Sequence, residues 1–98
     1  MGRREERHQQ ILRELHEERA AALVRISRRL ESLIEQLQSS RERVALAEGA
    51  DRIREVAAYR ELRKRAERYR WYLEVQREAL GLRTHDRIDE FYALPPAI

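Results

Sequence analysis

Ninety-eight residues, 40% of them charged and only 6% aromatic, bound the chain to one small domain without a thick globular core. The charges nearly cancel, 21 basic against 18 acidic, so a pI near 9.8 overstates how basic the surface is. With no cysteine, disulfides and thiolate metal sites are excluded. No run of 18 apolar residues offers a membrane span. The opening MGRREERHQQ has neither the apolar stretch of a secretory signal nor the Ser or Thr at position 6 that myristoylation needs. A cytoplasmic protein is the expectation.

Taken in order, residues 2–8 are charged with no apolar anchor and are expected to fray. From Ile11 onward apolar residues recur at helical spacing: Leu12, Leu15, Ala22 or Leu23, Ile26, Leu30, Leu33 and Leu37. Read through Ala22, the spacing slips to two consecutive fours, close to a heptad but not strictly one. Arg19 breaks the stripe with charge. It reads either as a side chain reaching out to water or as a polar group that sets register by pairing with Glu78 or with an acid on a partner chain.

Two places suit a turn. Ser39-Ser40-Arg41-Glu42 has the form of a capping box, whereas Gly49 suits the end of one helix and Asp51 the start of the next. In an antiparallel hairpin, facing residues have position numbers with a constant sum. Reversal at Gly49–Ala50 gives a sum of 99 and pairs Leu46 with Ile53, Leu37 with Leu62, Leu33 with Ala66, Leu30 with Tyr69 and Ile26 with Leu73. Reversal at the serines sets Glu17 against Leu62 and Arg13 against Ala66. The glycine is the turn.

The stretch Ile53–Leu80 contains neither Gly nor Pro and holds most of the aromatics, with Leu62 and Leu73 as leading core candidates. Under the same count Val24 meets Val75 and Ala20 meets Ala79, which predicts a second seam beside the first and an apolar patch wider than two helices can bury. Gly81 is expected to end the second arm. Thr84 is placed as the cap of a short helix over 85–92, with Ile88 near Ile11 and Phe91 near His8. Residues 93–98, with Pro95-Pro96, are expected to be extended.

Chemistry-bearing motifs are sparse. Glu5-x-x-His8 has di-iron spacing, but a site needs two copies and further inward glutamates. No HExxH, Gly-rich phosphate loop, nucleophile elbow or acid pair is present, and Ser27, Ser32, Ser39 and Ser40 have no histidine close by in sequence. The basic run Arg60, Arg63, Lys64, Arg68 and Arg70, interleaved with Tyr59, Tyr69, Trp71 and Tyr72, has the mix that contacts phosphates and stacks on bases. Yet Tyr59 and Tyr69 fall on the core seam. Arg60, Lys64 and Arg68 share one face at four-residue spacing, as solvated residues do.

The resulting expectation is an all-α chain: a long, coiled-coil-like antiparallel hairpin, a short C-terminal helix and an extended Pro-Pro tail. Helix 1 is placed at about 5–47, the turn at 48–51, helix 2 at 52–80, the short helix at 85–92 and the tail at 93–98. A hairpin this thin is marginal alone, so a homodimer forming a four-helix bundle, or another protein partner, is expected. The interface residues are placed at Val24, Trp71, Tyr72, Val75, Phe91, Tyr92, Leu94 and Ile98. The function expected is a non-catalytic interaction module with no metal, cofactor or small-molecule substrate. A nucleic-acid- or ribosome-associated role through Arg60–Arg70 is the second reading.

Overall fold

A computed structural model describes residues 2–98. It contains three helices, α1 (Arg3–Leu46), α2 (Gly49–Ala79) and α3 (Asp86–Phe91), with no strand among the described residues. The two long helices pack side by side as an antiparallel hairpin, and the molecule measures 73 × 21 × 14 Å. The 44 residues of α1 account for most of that length, about 66 Å at 1.5 Å per residue. Nothing within α1 interrupts it, because neither Gly nor Pro occurs between Arg3 and Leu46.

The hairpin is held by a heptad seam. On α1 the seam runs Leu23, Ile26, Leu30, Leu33, Leu37, Ser40 and Val44, alternating threes and fours, and every residue from Leu30 on is buried. The slip expected at Ala22 disappears once Leu23 is taken as the seam residue. On α2 the buried residues are Tyr59, Ala66 and Leu73, spaced by sevens, with Leu62 and Tyr69 half-buried between them. Arg43 Nε meets Glu55 Oε2 at 3.4 Å, and Arg19 Nη1 donates to the Ala79 carbonyl at 3.2 Å. Both pairs of position numbers add to 98, one from the expected register.

The turn is tighter than the sequence suggests. Ala47 and Glu48 are extended, and Gly49 takes φ +58° to start α2. A left-handed backbone there is costly for any residue with a Cβ, which is why glycine stands at the reversal. Because the chain leaves α1 straight after Leu46, the expected outermost core pair fails: Leu46 is 86% exposed and Ile53 73%. Val44 and Val56 close the core instead. The capping box at Ser39–Glu42 does not form, since α1 runs through it. Ser40 faces inward at the level of Tyr59, where a small residue leaves room for the ring.

α2 ends at Gly81 in a Schellman motif. Gly81 N–H donates to Glu78 O and Leu82 N–H to Arg77 O, both at 2.9 Å, with Gly81 at φ +86°. That motif turns the chain back on itself. Ile88 therefore packs beside Leu23, Ser27 and Leu73, not near Ile11, and Phe91 lies with it rather than near His8. α3 starts one residue later than expected, after His85. Thr84 is no cap, and its carbonyl instead accepts a bond from Arg77 Nη2 at 3.0 Å.

Because Arg19 faces the end of α2, the first four turns of α1 have no packing neighbour among the described residues, and residues 3–21 are all exposed. Ile11, Leu12 and Leu15 continue the seam into this overhang with nothing against them.

In this thin core, Leu33→Ala should cost about 2–5 kcal/mol, while Leu46→Ala should stay within about 0.5 kcal/mol. Urea unfolding of the two variants at one protein concentration checks this. Equal losses would contradict the core assignment.

Candidate functional site

Three surfaces carry side chains the hairpin itself does not need. The first lies along the groove that α3 and the tail occupy. Arg63, Arg70 and Arg77 recur every seven residues on α2, one step round from the buried Tyr59, Ala66 and Leu73. This stripe, with Arg60, holds the returning chain. Arg70 Nη2 pairs with Asp89 Oδ1 at 2.6 Å, and Arg63 Nε donates to Pro95 O at 2.9 Å. Arg60 Nε donates to Ile98 O at 2.9 Å, and the buried Tyr59 hydroxyl donates to Pro96 O at 2.6 Å. Tyr92 Oη reaches Glu31 Oε1 at 3.4 Å, while Tyr92 and Leu94 pack on the core.

The order of these contacts defines the path. Thr84 lies at Arg77, Asp89 at Arg70, Pro95 at Arg63 and Ile98 at Arg60, so the segment runs antiparallel to α2 toward the turn. Pro95 and Pro96 have no backbone N–H to leave unpaired, and their carbonyls are what the groove binds. Of the tail residues expected at an interface, Tyr92 and Leu94 are spent on the chain's own hairpin. Phe91 and Ile98 remain exposed at its edge.

The same contacts dismantle the basic run as a single surface. Arg60, Arg63 and Arg70 turn to the tail, Arg63 also pairs with Glu67, and Lys64 Nζ lies 3.3 Å from Glu61 Oε1. Arg68 is exposed and has no ion pair among the described residues. Sequence reasoning missed this clamp. The signal was present in the seven-residue arginine repeat beside the seven-residue core repeat.

The second surface is the back of α2. Val75 stands nine positions after the buried Ala66, and nine residues at about 100° each bring a side chain to the opposite side of a helix. Trp71 is one turn earlier on that side and 59% exposed. Tyr72 joins it to the seam: its ring meets Trp71 at 5.5 Å between centroids and Tyr69 edge-on at 5.5 Å.

Val24 does not join this patch. It stands nine positions before the buried Leu33, so it faces away from α2 on the far side of the hairpin. The second seam expected between Val24 and Val75, and between Ala20 and Ala79, therefore does not exist. The mirror count places each pair at one level along the axis but on opposite sides of the molecule.

The third surface, the overhang, carries Glu5, His8 and His16, all exposed. Among the described residues no three His, Asp or Glu side chains are grouped to hold a metal ion. His85 lies far from the other two histidines in the chain and sets its Nε2 3.0 Å from Glu78 Oε1. No described helix is long and apolar enough to cross a membrane. A cleft of about 650 Å³ is an open channel between α1 and the tail lined by Gln38, Arg41, Glu42 and Leu94 among others. It has no buried polar group converging on a ligand position.

No protein-family model matches the chain, and no curated protein or solved structure is detectably similar to it.

Tyr59→Phe, which removes only the hydroxyl bound to Pro96, should lower stability by about 1 kcal/mol. Arg68→Ala, which breaks no side-chain hydrogen bond or ion pair among the described residues, should change it by less than about 0.5 kcal/mol. Denaturant titration distinguishes the two. A neutral Tyr59→Phe would mean that the tail is not held as described.

Proposed function

We propose that the chain is a non-catalytic protein-interaction module, acting in the cytoplasm as an adaptor, scaffold or small subunit through the Trp71–Tyr72–Val75 face of α2. The observation that carries this reading is the exposure of Trp71 on a rigid helix whose other side is already covered by α1 and the tail. Leaving a tryptophan and its apolar neighbours in water forfeits burial worth about 1.5–3 kcal/mol for a large side chain. Tryptophan and tyrosine are also the residues most enriched where binding energy concentrates. A helical support holds these rings in place before a partner arrives, which lowers the entropy lost on docking. No small molecule, cofactor or catalytic step enters the reading.

The nucleic-acid reading loses its support from the arrangement of the arginines. Three of the five basic residues proposed for phosphate contact spend their donors on the C-terminal segment. The two without a bond to that segment, Lys64 and Arg68, form a short patch on the same helix face as Trp71.

A photo-crosslinking residue in place of Trp71, introduced into the full chain in its native host, should give a covalent adduct with a protein identifiable by mass spectrometry. The same group in place of Glu35, exposed on the back of α1, should not. Equal labelling from both positions, or none from either, would contradict the reading.

A further inference from the structure

We infer that the occupant of the Trp71 face is a second copy of this chain, docked antiparallel along the back of α2 with a two-fold axis at the level of residue 73. This rests on the interaction-module reading and adds the partner and its register. The back of α2 carries a second heptad stripe, independent of the buried one: Lys64, Arg68, Trp71, Val75 and Glu78, spaced 4, 3, 4 and 3. All five are exposed. Such a stripe is the form in which one helix presents itself to another.

The stripe is complementary to itself in one orientation only. A parallel pair in register would set Arg68 on Arg68, Lys64 on Lys64 and Glu78 on Glu78, repelling in three layers. Antiparallel pairing aligns alternate positions of the two copies, and three neighbouring registers satisfy that rule. The one centred at residue 73 sets Trp71 against the second copy's Val75 twice, at the middle. It sets Arg68 of one copy against Glu78 of the other once on either side of that centre.

Sliding one heptad toward the turn puts Trp71 on Arg68 and Val75 on Lys64, with no apolar layer. Sliding one heptad the other way buries Glu78 against Val75 at the centre. The central register therefore has an apolar centre, flanking pairs of opposite charge, and about 18 Å of helix in contact.

The groups along this face fit the assignment. Arg68 has no ion pair among the described residues, and Glu78 is bound to His85 through Oε1, leaving its other oxygen open. Beside the central layers, Tyr72 of one copy comes against Tyr72 of the other on one flank. Glu74 meets Glu74 on the other flank, a like-charge contact that holds the dimer below its full strength.

Sedimentation equilibrium of the full chain tests the register. The wild type should approach twice its 11.8 kDa monomer mass, with Arg68→Glu and Glu78→Arg each raising the dissociation constant at least about tenfold. The double variant Arg68→Glu, Glu78→Arg should return it to within about threefold of wild type, because each pair is restored with its signs exchanged. Circular dichroism confirms that each variant remains helical. Should the variants misfold, Glu74→Gln carries the test, since it removes only the repulsive contact and should tighten the dimer several-fold. An unchanged or weakened dimer there would overturn the inference.

A dimer that the charge exchange fails to restore would overturn the register. A wild type still monomeric at about 100 μM would overturn self-association through this face. In that last case an adduct from position 71 to a different polypeptide would leave the interaction-module reading standing. The absence of any adduct would remove both.

Discussion

Everything in this molecule depends on one narrow line of contact, where Leu30, Leu33 and Leu37 of α1 meet Tyr59, Ala66 and Leu73 of α2. The α1 seam alternates threes and fours while the fully buried α2 residues come every seventh position, so large side chains on one helix enter spaces on the other. Ala66 is the small member of the set, and at its level the helices can approach with Leu33 filling the gap. With so few buried side chains, the hydrophobic term is modest against the entropy of ordering the chain. Elements that add a little burial or a few charge-assisted bonds therefore matter more than they would in a thicker domain.

The C-terminal segment is such an element. The Schellman turn at Gly81 sends it back over the hairpin, where Ile88 and Leu94 extend the core and the arginine stripe fixes its path. Interactions of this kind at a surface are individually weak, roughly up to 1 kcal/mol each. Spread over some fifteen residues they select one route for a chain that makes no ladder with anything. The covering is one-sided. It leaves the back of α2 open with its aromatic residues, and it leaves the overhang of α1 without a neighbour. The proposed function and the proposed self-association both start from that asymmetry.

Much of the fold was legible because its signals are periodic. Two glycine-free, proline-free stretches with a common stripe specify two helices, and the mirror count located their register to within one position. The count failed where it was asked for more than axial level. It paired Val24 with Val75 correctly along the axis but carries no information about which side of a helix faces the partner. It placed Ile88 beside Ile11 because it assumed that the chain continues past Gly81 in the same direction, whereas a left-handed glycine there reverses it. Leu46 and Ile53 were lost from the core because the exit from α1 takes extended backbone that periodicity does not anticipate. The arginines were the hardest to read. Charge spacing alone does not distinguish a side chain aimed at phosphate from one that binds a carbonyl of its own tail, and only the path of residues 93–98 decides it.

The fold stands on the reversal at Gly49 bringing the two seams together within one chain. Spin labels on cysteines introduced at Arg29 and Arg65, in a chain with no cysteine of its own, measure this directly by pulsed electron resonance after dilution with unlabelled protein. Helix axes about 8–10 Å apart, with the added reach of the labels, should give a distance of roughly 20–30 Å. A distance near 54 Å, the span of 36 residues in one continuous helix at about 1.5 Å each, would contradict it.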